Sequence, residues 1–384
     1  MDFDIKYNDF RQEVRAYCEE KIGPHAVDID RNQYFSKDVH KVVNDKGWWG
    51  SLVPKEYGGI DLSTVEYAIL VEEISRVCGS TGLTFAAHNS LGTWPVLAFG
   101  TEEQKKKYLP PAAEKGSLIA FGLTEPDAGS DAGGTKSKAE KQDDEYIING
   151  TKCWITSASV CDYAIITART DEQGGVHGIS SFIIENDMEG FSAGKKENKL
   201  GCRGSITAFM HFDDLKIPAW HLMGNEGEGF KQFMITLDGG RISIGAMALG
   251  LAQAALELAV QYTDSHVRDG KPIAKSQAIQ FKLADMATQV ETARLLMYKT
   301  AWMKDNKIPF TKYSAMCKLY CSEVSHFCTY QAIQILGEDG YTEKYPAERY
   351  YRDMKLCEIG EGTSEIQRIV ISREVLRELS KKVK

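Results

Sequence analysis

The sequence predicts an α+β protein in which helices come first, strands second and helices again. Three observations carry this. Residues up to about 118 show helical periodicity with two capping signatures. Residues from about 119 to 225 hold short apolar, β-branched runs between glycine-rich turns. From about 226 the helical period returns and lasts to the end of the 384 residues. A nucleotide-binding parallel sheet would alternate strand and helix instead. The shifts place an α-helical domain at 1–118, a β domain at 119–225 and a second α-helical domain at 226–384.

In the first region, Ser63-Thr64-Val65-Glu66 is a capping box opening an apolar-periodic helix. Thr101-Glu102-Glu103-Gln104 opens another, which Pro110 and Pro111 are expected to stop. In the middle, residues 146–155 read as a hairpin turning on Asn149-Gly150. Residues 163–168, 181–184 and 208–212 are further strands, so a small sandwich or barrel is expected. The glycines at 224, 227 and 229 lack a strand–helix context for dinucleotide binding and read as a hinge loop. In the last region Leu251, Ala255, Leu258 and Tyr262 share a helix face, as do Phe281, Met286 and Val290 approximately.

Composition narrows the function. Lys plus Arg number 46 against 54 Asp plus Glu, a net charge of −8. That balance, without a basic run, excludes a dedicated nucleic-acid binder. The longest apolar run, 242–256, is shorter than the roughly 20 residues a membrane span needs, and reads as a buried helix. No secretory or peroxisomal signal is visible, which points to a cytoplasmic protein or a mature mitochondrial-matrix chain. The nine cysteines form no CxxC pair, so reduced core thiols are expected and no metal site.

Two segments suit chemistry. Residues 121–131, Phe-Gly-Leu-Thr-Glu-Pro-Asp-Ala-Gly-Ser-Asp, offer glycines and hydroxyls to a closely approaching ligand, or form an ordinary surface turn. Residues 358–368 place Glu361 between glycines ahead of a final helix that Thr363 or Ser364 could cap. A carboxylate at such a junction can be presented into a cleft and, when desolvated, act as a general base. A solvated loop glutamate is the plainer alternative.

These segments, with 102–110, 150–156, 200–205 and 334–337 in order between them, closely resemble the acyl-CoA dehydrogenase family over essentially the whole chain. The resemblance implies an N-terminal helical domain, a middle β-barrel and a C-terminal four-helix bundle, with FAD between barrel and bundle. It places Phe121, Leu123, Thr124, Trp154, Ile155 and Thr156 at the flavin ring, and Ser130 at the phosphates of flavin or CoA. Gln277, Gln334 and Gly337 match positions holding the adenylate across a dimer, and Thr363 and Glu365 match further cofactor contacts. Asp238 and Arg241 resemble the polar contacts of the CoA-binding helix, with a buried ion pair between them as the alternative. Glu361 matches the base, which takes the α-proton as the β-hydrogen leaves as hydride to flavin N5. The backbone N–H of Glu361 and a flavin ribityl hydroxyl would hold the thioester carbonyl. The family's partners are an acyl-CoA substrate and an electron-transfer flavoprotein, and its usual assembly is a homotetramer, a dimer of dimers.

The sequence departs from the family at several places. His266 and Asp269 stand where many members have Arg and Phe, leaving Arg268 as the nearby charge toward a neighbour's FAD. Glu338 and Asp339 replace Gly and Asn near a pyrophosphate, where acidic groups oppose binding unless they point away. Gly360 replaces a Tyr beside the base and, with Gly362, leaves space at the reacting carbons. Trp94 lies on a helix that lines the acyl tunnel in relatives, where it either shortens the tunnel or packs in the core. Together they imply a short or compact acyl group, branched or cyclic ones included. An oxygen-using acyl-CoA oxidase and a non-catalytic acyl-CoA-binding member are the alternatives.

Overall fold

Local capping chemistry sets the helix starts in the first region. Ser63 accepts from the Glu66 N–H while Glu66 accepts from the Ser63 N–H, and Thr101 and Gln104 repeat the exchange. The computed structural model describes residues 3–268 and 270–382. Its first region holds α1 (Phe3–Lys21), α2 (Ala26–Asn32), α3 (Lys37–Asp45), α4 (Thr64–Val77), α5 (Gly79–Ala87), α6 (Trp94–Phe99) and α7 (Glu102–Glu114). A π-helical turn, His88–Thr93, joins α5 to α6. Helix α4 is buried almost throughout, and its Glu72 and Glu73 are fully enclosed. Arg11, Arg15, Arg76 and Arg294 converge on these two carboxylates and tie three helices together.

Pro110 and Pro111 do not stop α7, which runs on to Glu114. The pair costs the ladder the two N–H donors at 110 and 111, and the helix is held past them by the buried Leu109, Ala112 and Ala113. The Lys115 and Ser117 N–H groups both close on the Pro111 carbonyl, and Gly116, at φ +69°, ends the helix.

The middle region is a curled seven-stranded sheet. It comprises β1 (Ile119–Gly122), β2 (Lys138–Gln142), β3 (Glu145–Thr156), β4 (Tyr163–Arg169), β5 (Ile179–Glu185), β6 (Phe191–Ala193) and β7 (Thr207–Pro218). The path runs β1-β4-β2-β3-β7-β6, with β5 antiparallel on β4. Asn149-Gly150 is not a hairpin turn. Strand β3 passes straight through it, with a bulge against β7 between Ile148 and Gly150. The turn lies six residues earlier, at Asp143-Asp144 between β2 and β3, where Asp143 is left-handed at φ +52°. Gly150 is needed because a Cβ there would strike the Ser137 side chain.

The last region holds α8 (Gly229–Ser265), a two-residue ribbon of β8 (Val267–Arg268) and β9 (Lys271–Pro272), then α9 (Gln277–Asp305), α10 (Thr311–Leu336), α11 (Glu338–Tyr341), α12 (Ala347–Ile359) and α13 (Ser364–Lys382). By length and composition α8 could cross a membrane, but 78% of its most apolar window is buried inside the protein. It packs on α4, α9 and α10, and α10 packs on α12 and α13 in turn. Met286 and Val290 of α9 face the core, whereas Phe281 is 61% exposed and belongs to the outer face. All nine cysteines are buried and unpaired.

Candidate active site

Glu361 is presented by a short break between two helices. Helix α12 ends as the Gly360 N–H closes on the Leu356 carbonyl. The chain then turns left-handed, with Glu361 at φ +54° and Gly362 at φ +91°. Only glycine adopts the second angle freely, and the first is uncommon for a residue with a side chain. Thr363 restarts the helix: its hydroxyl accepts from the Ile366 N–H and its carbonyl from the Gln367 N–H.

The turn aims Glu361 at α8. Its Oε2 sits against Gly240, where a Cβ would overlap it, and Leu91 of the π-helical turn closes the same spot at 2.9 Å from that Cβ position. The residue as a whole is half-buried, but Oε2 is shut from solvent and has no hydrogen-bond partner among the described residues. Burial pushes the carboxyl up to about 7, against the opposing pull of Lys318 and Arg241. The Glu361 N–H has no acceptor among the described residues.

Lys318 is the part of this site that the sequence reading missed. It is fully buried on α10 and donates to the Gly362 carbonyl at 2.8 Å, which Gln367 Nε2 also reaches at 2.8 Å. Burial lowers its ammonium to about 8, so it still carries charge at neutral pH. The signal was a lysine in the buried small-residue stripe Ala315, Ser322, Ser325 and Thr329. Lys318→Met should leave the Gly362 carbonyl with one donor and remove the nearest positive charge. Retained FAD, a kcat lower by about 10-fold or more, and a pH midpoint moved upward are the expected results of a pH-rate profile. An unmoved midpoint would show that Lys318 does not act on Glu361.

Arg241 is the second cation. It is 7% exposed and pairs with Asp238, whose other oxygen accepts from Thr311 at 2.7 Å. Asp238 and Arg241 thus form the buried pair that was the alternative to CoA contact. The field of Arg241 also opposes the burial of Glu361.

Family models describing the N-terminal, middle and C-terminal domains of acyl-CoA dehydrogenases match residues 6–116, 120–215 and 227–376. The chain belongs to the acyl-CoA dehydrogenase family. The mouse short-chain specific acyl-CoA dehydrogenase, mitochondrial, is 46% identical over 96% of this chain and 89% of its own. Butyryl-CoA dehydrogenase from Megasphaera elsdenii superposes with a TM-score of 0.94 at 42% identity, covering 96% of this chain and 97% of its own. A chain from a structure of the electron transferring flavoprotein of Acidaminococcus fermentans superposes at 0.96 with 44% identity, over 98% and 100%. The protein is an FAD-dependent oxidoreductase that dehydrogenates acyl-CoA.

In this acyl-CoA dehydrogenase the residues expected at the flavin ring lie along one edge of the curled sheet. Phe121, next to last in β1, stacks on Phe233 of α8, ring centres 4.0 Å apart. Thr124 accepts from the Cys153 N–H, which brings the two motif segments together. Trp154 is left-handed at φ +59° and 59% exposed, Ile155 turns inward, and Thr156 is half-buried. An exposed tryptophan on a strained bulge, with the Thr124 and Thr156 hydroxyls unengaged among the described residues, fits a planar polar ring lying on this edge. Behind the edge lies a buried ion pair that the sequence reading did not single out. Lys152 meets Glu125 at 2.6 Å and also donates to the Leu123 carbonyl and Thr167. Burial opposes the Glu125 charge, but Lys152 and the Lys136 N–H more than offset this and hold its carboxyl below the usual range.

The remaining cofactor positions are spread out in the single chain. Ser130 is on an exposed loop. Arg268 on the ribbon, Gln277 at the start of α9, and Gln334 and Gly337 at the end of α10 are all exposed. His266 is turned back on Tyr262, stacked at 3.6 Å with Nδ1 bonded to the Tyr262 carbonyl, and Asp269 lies outside the described residues. Asp339 points away from Gly337, to Tyr262 and Lys344, while Glu338 is exposed. Glu365 is exposed at the start of α13, and its own N–H and Thr363 hold its carboxyl below the usual range. Trp94 is half-buried, edge-on to Phe99. Gly360 has only Leu356 near its Cβ position, at 3.4 Å.

Proposed function

We propose that Glu361 is the base that takes the α-proton of a short or compact acyl-CoA. The observation that carries this is its buried, unpartnered Oε2, held in the gap that Gly240 leaves on α8. Bound FAD supplies the hydride acceptor for the β-hydrogen. The chain does the rest. The Glu361 N–H, without an acceptor of its own, receives the thioester carbonyl and steadies the charge that develops there. Desolvation makes the carboxylate a stronger base than one in water, while Lys318 and Arg241 keep its ionised form accessible. Neither Gly239 nor Gly240 offers a competing carboxylate.

Trp94 narrowing the space and Gly360 widening it beside the base support a compact acyl group, as do the short-chain and butyryl names of the relatives. Electron transfer to an electron-transfer flavoprotein is part of the proposal, supported by the flavoprotein structure that this chain resembles. So is a homotetramer. The exposed Arg268, Gln277 and Gln334 need a second copy to complete a cofactor site, and Val267 and Phe281 beside them are large exposed apolar groups. A cytoplasmic or mitochondrial-matrix location is included.

A flavin-bleaching screen over straight, branched and cyclic acyl-CoAs tests the reading. Short chains should bleach the flavin faster than long ones, with turnover dependent on the electron acceptor and little peroxide. No bleaching by any acyl-CoA would overturn it. The bleaching rate should rise with pH through about 7, because a protonated Glu361 cannot accept the α-proton. A flat profile from pH 5.5 to 8.5 would overturn the assignment of the base.

A further inference from the structure

The buried ion pair behind the flavin edge closes on one particular peptide. Lys152 is fully buried on β3, and its stem passes 3.4 Å from where a Cβ on Gly122 would stand. Its ammonium donates to Glu125 at 2.6 Å, to the Thr167 hydroxyl at 3.0 Å and to the Leu123 carbonyl at 3.2 Å. Glu125 also accepts from the Lys136 and Ser137 N–H groups, so its charge is shared among three donors. The Leu123 carbonyl has the ammonium as its charged neighbour.

That carbonyl belongs to the same peptide unit as the Thr124 N–H. The peptide is trans, so the N–H points opposite to the carbonyl and away from Lys152. It has no acceptor among the described residues. The unit is not free to turn, because the next carbonyl, that of Thr124, is held by the Cys153 N–H at 2.9 Å, just before the bulge that carries Trp154. An ammonium on the carbonyl end of a peptide draws electrons toward it and makes the N–H at the other end a stronger donor. A flavin ring that accepts hydride gains negative charge, and a fixed donor aimed at that charge favours the reduced form over the oxidised one.

We propose that Lys152, acting through the Leu123–Thr124 peptide, raises the reduction potential of the bound flavin. It is a positioning residue, since the group that meets the ring is the Thr124 N–H. The proposal rests on the flavin lying against Thr124 and Trp154. A brace that merely held the loop together would leave the potential unmoved.

The test is anaerobic redox titration of the holoenzyme without substrate. Lys152→Gln keeps a donor for the Leu123 carbonyl but removes the charge, whereas Lys152→Arg keeps both. The glutamine variant should shift the flavin equilibrium about 10-fold toward the oxidised form, about 30 mV for a two-electron couple. The arginine variant should shift it by less than half as much. Lys152→Met combined with Glu125→Gln leaves no unpaired buried charge, and serves where Lys152→Gln does not fold; it should shift the potential in the same direction. An unmoved potential in the uncharged variants overturns the proposal, as does an equal shift in Lys152→Gln and Lys152→Arg. Loss of FAD from both uncharged variants also overturns it and makes Lys152 a brace alone. Adding FAD to the apoprotein should quench the Trp154 emission, read as the difference between the wild type and Trp154→Phe. Without that quench the placement of the flavin fails; with it, an unmoved potential fails the proposal alone.

Discussion

Replacing Glu361 by Gln abolishes flavin bleaching by any acyl-CoA that bleaches the wild type, while FAD remains bound. The amide keeps the size and left-handed placement of the side chain but cannot accept the α-proton. Loss of a positioned base costs about 10²- to 10⁴-fold by itself. Stopped-flow absorbance of the holoenzyme reads both the bleaching and the cofactor content. The same variant should be more stable above neutral pH. The folded protein raises this carboxyl from 4.5 to about 7, so its contribution to stability is fully present below the unfolded pKa and is lost as pH rises through 7. By then the cost is about 3 kcal/mol. A higher Tm for Glu361→Gln at pH 8 that fades toward pH 5 is the expected pattern. Normal bleaching would refute the assignment, and a Tm gain of equal size at both pH values would refute the burial argument.

Gly240→Ala should be nearly as damaging to activity, for a steric reason. Within a helix this change ordinarily gains about 1 kcal/mol. Here the new methyl overlaps Glu361 Oε2 and meets Leu91 Cδ2 at 2.9 Å. The π-helical turn carrying Leu91 is buried and cannot retreat, so the carboxylate must move. A displacement of about 1 Å lowers the rate by about 10²-fold. The neighbouring Gly239→Ala meets only the end of the flexible Lys304 side chain at 3.0 Å and should spare turnover. Comparing kcat for the two variants on one substrate decides the point; equal losses would mean that α8 tolerates no methyl here for reasons unrelated to the base.

Much of the fold was legible because its signals are local. Ser63 and Thr101 cap the helices they precede, and the β-branched runs at 163–168 and 181–184 form buried strands. Glu361 stood out because two glycines bracket it. The misreadings came from signals whose meaning depends on a distant neighbour. Asn149-Gly150 has turn chemistry, but Ser137 across the sheet makes the glycine a bulge. Pro110 and Pro111 disfavour a helix, but packing of the neighbouring Leu109, Ala112 and Ala113 in the core outweighs the two bonds they remove. Lys318 reads as an ordinary charged residue until the fold encloses it. The glycines at 239 and 240 gave no hint of their roles, since what they admit lies on α9 and on the loop after α12.

Helix α8 threads several of these features on one rod. Phe233 stacks on the sheet edge, Asp238 and Arg241 form the buried pair, Gly239 and Gly240 leave room for the Lys304 and Glu361 side chains, and the stretch beyond them builds the bundle core. Each works only at its own angle around the axis, and successive residues differ by about 100°. The helix is therefore a phase reference. One residue inserted or deleted between Phe233 and Gly239 would rotate the cofactor-side stack against the pocket and the core together, with no loop in between to absorb the slip. Length changes in related chains should accumulate at the 224–229 glycines before the helix and at the 266–276 connection after it, and avoid the 37 residues between.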